Sequence, residues 1–350
     1  MEQTMLPHET KTRRLELDEY ANSRRICGPS VPPHSTSKTR PNGPQMDGKS
    51  WLMLIVLSIL WGGSFFFTEI ALVDLPPFTL VLCRVAIASL ILWWVVLLRN
   101  VPIPRDPTFW GTIAVMGALN NLVPFSLIVW GQTHIASGLA AILNATTPLF
   151  TLLIAHIATD TEKLNLRKAA GVLIGFAGVL VVIGMPEAKT SAATDLLSTL
   201  APCAVLLAAI SYGCAGVYGR RFSSTSPILT AAGMTSASSL MLVPLAAVVD
   251  TPWHLPVPSP TTITAVLGIA ALSTALAYIL YFAILKRAGA SNLLLVTFLI
   301  PVSAILLGVG FLGETLLVQH IVGMGVIGVG LAVIDGRIRN LLFSSAHKQV

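Results

Sequence analysis

The sequence predicts an all-α polytopic membrane protein: ten transmembrane helices as two inverted five-helix repeats, N-terminus and C-terminus both inside. Three features predict it: apolar runs of spanning length, an internal duplication, and a one-sided placement of Lys and Arg. Of the 350 residues, 54% are hydrophobic and 11% charged, and the mean hydropathy is +0.77. Soluble domains carry about 25% charged residues, so this chain has too little polar surface for water. Its first partner is the lipid bilayer.

Residues 1–50 are the exception. They hold eight Lys and Arg among prolines and serines and no apolar run able to fold or span, which reads as a disordered basic cytoplasmic tail. No stretch near Met1 has the form of a signal peptide. From Trp51 onward, apolar runs of about 20 residues, the length that crosses the hydrocarbon core, alternate with short turns. They fall near 51–71, 78–98, 109–131, 136–158 and 166–184, then near 197–218, 227–248, 263–284, 289–311 and 318–335. The repeats are therefore 51–186 and 197–336, joined by a linker at 187–196 and followed by a cytoplasmic tail at 337–350. Prolines at 76, 77, 102, 104, 107, 227, 252 and 256 suit the turns and first helical positions.

Orientation follows from the basic residues, which concentrate in cytoplasmic loops. With the N-terminus inside, 20 of the 22 Lys and Arg fall on the inner side; Lys189 is outside and Arg84 lies within a span. The net charge of +6 then faces the anionic inner leaflet and implies no nucleic acid.

The duplication is read from spacing. Glu162 to Gly171 and Glu314 to Gly323 are each nine positions, and Gly171 to Gly178 and Gly323 to Gly330 are each seven. Residues 118–148 also align without a gap to 271–301. Five helices per half invert the second copy, a plan that recurs in secondary transporters with the substrate site between the repeats.

That alignment stacks the polar residues. Asn120 and Asn121 superpose on Ser273 and Thr274, and Asn144 on Thr297. All lie near mid-span, where a polar side chain is costly unless it faces a partner or a wet cavity; they either contact substrate or hold helices together. Pro148 and Pro301 crowd the carbonyls of Asn144 and Thr297, so each marks a hinge with a freed carbonyl. Arg84 either snorkels outward, binds an anionic group, or pairs with Glu69. Glu69, near the outer end of the first span, is a solvated carboxylate or a proton-coupling group. Trp61 with Gly62, Tyr212 with Gly213, Tyr278 and Tyr281 line a cavity or pack the core. Cys83, Cys203 and Cys214 read as small buried thiols. His134, His156 and His320 have no second ligand at a metal-like spacing, and no cofactor motif is present.

With these residues in place, the chain resembles the drug/metabolite transporter superfamily, as a member with two EamA repeats over about 51–335. The marks are Trp61-Gly62, Leu75-Pro76-Pro77 followed by Arg84, Pro148-Leu149-Phe150, Gly171 to Gly178, Arg220-Arg221, Ala290, Pro301, Gly313-Glu314-Thr315 and the last glycine run. The first copy departs at Asp160-Thr161-Glu162, where a Gly-Glu pair stands in the pattern. The resemblance implies a carrier of the inner or plasma membrane, with a cavity lined by helices one to four of each half. It implies a small-molecule substrate such as an amino acid, another metabolite or a drug, moved mostly outward, and it carries over to Arg84 and Trp61-Gly62. A secondary transporter exporting a small organic metabolite by alternating access is the expected function; a passive channel or facilitator, or a non-transporting scaffold or receptor, is the alternative. An enzyme is not expected.

Overall fold

The computed structural model describes residues 47–160, 163–184, 192–293 and 295–335. Among them every regular element is helical. In chain order these are α1 (Gly48–Ala71), α2 (Pro77–Leu98), α3 (Pro107–Gln132), α4 (Ser137–Ala158), α5 (Leu166–Ile183), α6 (Ala192–Tyr218), α7 (Pro227–Val249), α8 (Pro260–Ala288), α9 (Val296–Leu312) and α10 (Val318–Asp335). A short turn, Ala290–Leu293, precedes α9. The first eight are long and apolar enough to cross a membrane, while α9 and α10 are shorter apolar helices. Their outward faces carry large exposed apolar side chains, among them Leu52, Ile59, Leu90, Leu240 and Leu306, as a lipid-facing surface requires.

The helix starts follow local sequence chemistry. Pro77, Pro107, Pro227 and Pro260 occupy first-turn positions, where the missing N–H costs nothing. Asp47 caps α1, accepting from the Ser50 N–H at 3.0 Å, so residues 48–50 are the first turn of α1 rather than tail. Likewise α6 starts at Ala192, inside the stretch read as linker. The tail before residue 47, Glu162, Lys189 and the stretch after residue 335 lie outside the described residues.

The two halves interlock. α1 packs mainly on α8 and α9, and α6 packs mainly on α3 and α4. Each five-helix half thus lends its first helix to the other. Two glycines permit these approaches: a Cβ on Gly62 would stand 2.6 Å from the Ser303 Cβ, and one on Gly213 would stand 3.0 Å from the Thr151 N. α2 pairs with α7, and α5 pairs with α10.

The α5–α10 pair is the tightest. Lipid supplies no hydrophobic drive between helices, so close van der Waals packing of small residues does the work. A Cβ on Gly171 would meet the Gly330 carbonyl at 2.7 Å, and one on Gly178 would meet the Gly323 carbonyl at 2.9 Å. The early residue of one helix faces the late residue of the other, so the two run antiparallel. Gly325 and Gly328 have open space around them, so only part of the last glycine run serves the contact. Cys203 is exposed, against the expectation of a buried thiol, because it sits on the outward face of α6.

A side chain at Gly330 must push two backbones apart, so Gly330→Val is expected to cost about 1–3 kcal/mol. Gly328→Ala is expected to match or exceed the parent, since a helical Gly costs about 0.5–1 kcal/mol relative to Ala. Thermal unfolding of the purified protein in detergent distinguishes the two.

Candidate functional site

The site lies where α2, α3, α6, α7 and α8 meet, and two π-helical turns organise it: Ala118–Leu122 in α3 and Ala271–Leu276 in α8. Such a turn inserts an extra residue in the helical repeat and realigns the groups around it. In α3 a local cause is Pro124, which lacks an N–H and crowds the carbonyl of Asn120; the Val123 N–H reaches back to the Ala118 carbonyl. In α8 the Thr274 hydroxyl donates to the Ile269 carbonyl at 2.8 Å, and the Ala277 N–H reaches back to Leu272. Ala118 and Ala271, where the turns begin, are superposed by the internal alignment. Both turns carry the aligned polar pairs.

Each turn contacts the opposite half through other residues. Asn120 Nδ2 donates to the Tyr278 hydroxyl at 3.0 Å, and that hydroxyl donates to Asn121 Oδ1 at 2.9 Å. Asn121 Nδ2 lies 3.4 Å from Ser238 Oγ, and Asn120 Nδ2 lies 3.7 Å from Met234 Sδ. The Ser211 hydroxyl donates to the Leu119 carbonyl at 2.7 Å, so α6 takes up a carbonyl of the α3 turn. Arg84 Nε donates to Thr274 Oγ1 at 3.0 Å, and its guanidinium carbon stands 3.6 Å from the centre of the Phe125 ring. Phe125 also meets the Tyr212 ring, 6.5 Å between centroids.

Arg84 is only 6% exposed, and among the described residues no carboxylate pairs with it. It neither snorkels outward nor pairs with Glu69. The Glu69 carboxylate instead accepts from Gln132 Nε2 at 3.4 Å, while the same amide donates to the Phe65 carbonyl at 2.9 Å. Trp61 packs against Tyr281, 5.6 Å between centroids.

Asn144 is half-buried at the end of the first segment of α4, Ser137–Asn144, and the second segment, Thr147–Ala158, opens with Pro148 near its start. The carbonyl expected to be freed there is taken: the Thr147 hydroxyl donates to it at 2.7 Å. The unpartnered buried acceptor is the Asn144 side-chain oxygen, and Ser273 Oγ is likewise buried without a partner. Pro301 lies inside α9, near Thr297, so Pro148 alone of the two hinge prolines adjoins an interruption of its helix. Sequence reasoning passed over Phe125, Met234, Ser238 and Gln132. Phe125 had a signal, because the internal alignment superposes it on Tyr278.

One end of the bundle is closed by three carboxylates, each accepting from the start of a helix in the opposite half. Asp74 accepts from the Ser259 N–H at 2.8 Å and the Thr262 hydroxyl at 2.7 Å. Asp250 accepts from the Thr79 N–H at 2.6 Å and its hydroxyl at 2.9 Å. Glu314 accepts from the N–H groups of Ser137 at 2.8 Å and Gly138 at 3.1 Å. Unsatisfied N–H groups and the helix dipole make these positions favourable for negative charge. The other end has an exposed ion pair between Asp47 and Arg287.

The model of the EamA-like transporter family matches residues 49–184 and 199–335. The chain belongs to this family. Among relatives of this EamA-family chain, the uncharacterized transporter YoaV of Bacillus subtilis is 24% identical over 81% of this chain and 95% of its own length. The uncharacterized inner membrane transporter YedA of Escherichia coli K12 is 26% identical over 78% and 86%. Protein PecM of Dickeya dadantii is 26% identical over 79% and 89%. A solved crystal structure at 20% identity superposes with a TM-score of 0.60, covering 85% of this chain and 99% of its own; at that identity it shows the fold alone. The protein is therefore an integral membrane transporter, and its family points away from an enzyme.

The hydrogen bonds from Ser259 and then Thr262 hold the Asp74 carboxyl below its ordinary value of 3.8. An unfolded chain binds this proton more readily, so the stabilisation is complete above that ordinary value and is lost as pH falls through the folded one. Accordingly, the gap in thermal stability between the parent and Asp74→Asn is expected to be open at pH 6 and to close at lower pH; a gap independent of pH contradicts the assignment.

Proposed function

We propose that this EamA-family chain is a secondary carrier that moves a small organic solute, in the outward direction, by alternating access. It is read as ten transmembrane helices in two inverted repeats, 51–186 and 197–336, with both termini and the basic tail in the cytoplasm of the cell carrying this inner or plasma membrane. The observation that carries the reading is the pair of π-helical turns at aligned positions, whose polar side chains converge between the halves. Polar groups at mid-depth are expensive in lipid, and in inverted-repeat transporters substrate binds there. The exchange of α1 and α6, and the antiparallel α5–α10 pair, favour the inverted arrangement. The placement of 20 of 22 Lys and Arg on one side favours the orientation.

In this reading Arg84, Asn120, Asn121, Tyr212, Thr274 and Tyr278 form the cavity wall around mid-depth. Trp61, Asn144, Ser273 and Thr297 extend it toward α1, α4 and α9. The end closed by Asp74, Asp250 and Glu314 is the outer gate. Those carboxylate contacts separate when the halves rock, with the interruption of α4 before Pro148 taking up the change. Proton coupling, where present, uses Glu69.

Counterflow in proteoliposomes containing the full chain tests the carrier: a preloaded substrate accelerates uptake in a carrier and leaves a channel unaffected. Asn120→Ala and Asn144→Ala are expected to reduce counterflow about tenfold each, the size of one or two lost hydrogen bonds. Retention of full rates by both excludes this site. If flux responds to an imposed pH gradient and Glu69→Gln abolishes that response, coupling runs through Glu69; an unchanged response removes Glu69 from the mechanism.

A further inference from the structure

We infer that the solute carries a carboxylate, bound in-plane by the Arg84 guanidinium with the Tyr212 hydroxyl as a second donor. The inference rests on the carrier reading above and deepens it by naming the substrate class. Four observations carry it.

The first is an unmatched charge. Arg84 is 6% exposed and sits about two turns into α2, yet among the described residues only its Nε has a hydrogen-bond acceptor, Thr274. The remaining N–H groups, on the two terminal nitrogens, have none. Removing a cation from water is costly unless an anion or good acceptors compensate it.

The second is geometry. Phe125 covers one face of the guanidinium at 3.6 Å. With Nε occupied and a face covered, the donors left for a ligand are those of the edge formed by the terminal nitrogens. That edge presents parallel N–H groups, the arrangement that matches a carboxylate bidentately.

The third is the company. Tyr212 stands beside Phe125, 6.5 Å between ring centroids, and Phe125 is the ring that lies against the Arg84 guanidinium. The Tyr278 hydroxyl is committed to Asn120 and Asn121, whereas the Tyr212 hydroxyl has no hydrogen bond among the described residues. It is available to a ligand oxygen. A single cation with one neutral donor suits a monoanion better than a phosphate dianion.

The fourth is the internal control that the duplication provides. Arg84 stands seven residues after Pro77, which opens α2; Met234 stands seven after Pro227, which opens α7. Each reaches the π-turn of the opposite half, Arg84 at Thr274 and Met234 at Asn120. The scaffold fills this place with a thioether in one half, so packing alone does not call for a cation in the other.

The test uses full-length protein in proteoliposomes with matched probe pairs: acetate and acetamide, benzoate and benzamide, phenylalanine and phenylalaninamide. Counterflow is expected for at least one carboxylate and not for its amide. Arg84→Met, which copies the residue of the opposite half, is expected to raise the KM for that carboxylate about 30-fold or more, the usual cost of truncating a buried charge partner. Arg84→Lys is expected to recover part of the loss, and Tyr212→Phe to raise KM by a smaller factor. Thermal unfolding verifies that each variant is folded; if Arg84→Met is not, Arg84→Lys carries the test, because it keeps the charge and loses the bidentate edge. Counterflow of amides at the rate of carboxylates, or a folded Arg84 variant with unchanged carboxylate KM, overturns the inference and leaves the carrier standing. Absence of counterflow for every probe by the parent, alongside an active control carrier, overturns both.

Discussion

Hydrocarbon offers no hydrogen bond, so each polar group within the bundle must find its partner inside the protein. That constraint explains where the structure is irregular. The π-turn of α3 exposes the Leu119 carbonyl, and Ser211 from the other half takes it. The break in α4 exposes the Asn144 carbonyl, and Thr147 takes it. Each departure from a straight helix is repaired by a hydroxyl one turn away or one helix away. Among the described residues, the buried side-chain atoms that stay without such a repair are on Ser126, Gln132, Ser137, Asn144 and Ser273.

The same constraint shapes the contact between halves. Because α1 and α6 are exchanged, neither five-helix group forms a packed body without the other, and the halves meet along most of their length. Glycines at positions 62 and 213 remove the steric obstacle to that exchange. At one end, Asp74, Asp250 and Glu314 each neutralise unpaired N–H groups of the opposite half. These contacts are directional and few. The α5–α10 pair, by contrast, rests on backbone contact at glycines.

Much of this was legible in the amino acids. The ungapped register of 118–148 on 271–301 put Asn120-Asn121 and Ser273-Thr274 at matching positions, and the π-turns that carry them start at its first aligned pair. It also superposed Phe125 on Tyr278, although an apolar ring drew no notice without its cation. Other features were hidden. Nothing local to Glu314 says that it holds the start of α4, and nothing local to Arg84 says that it turns toward Thr274 rather than toward Glu69 or the membrane surface. Those outcomes depend on which helix stands opposite, and helix neighbours in a membrane are chosen by small-residue packing over long sequence separations.

Composition, hydropathy and spacing sufficed for the all-helical membrane class, the duplicated register and the polar residues worth following, because a bilayer sets the length and polarity of every segment that enters it. Partnership came from the fold. Arg84 became a buried cation on Phe125, Asn144 lost its carbonyl to Thr147, and Glu314 became a clasp between halves. Each of these was settled by contacts with a helix far away in the sequence or by a hydroxyl whose rotamer no periodicity encodes.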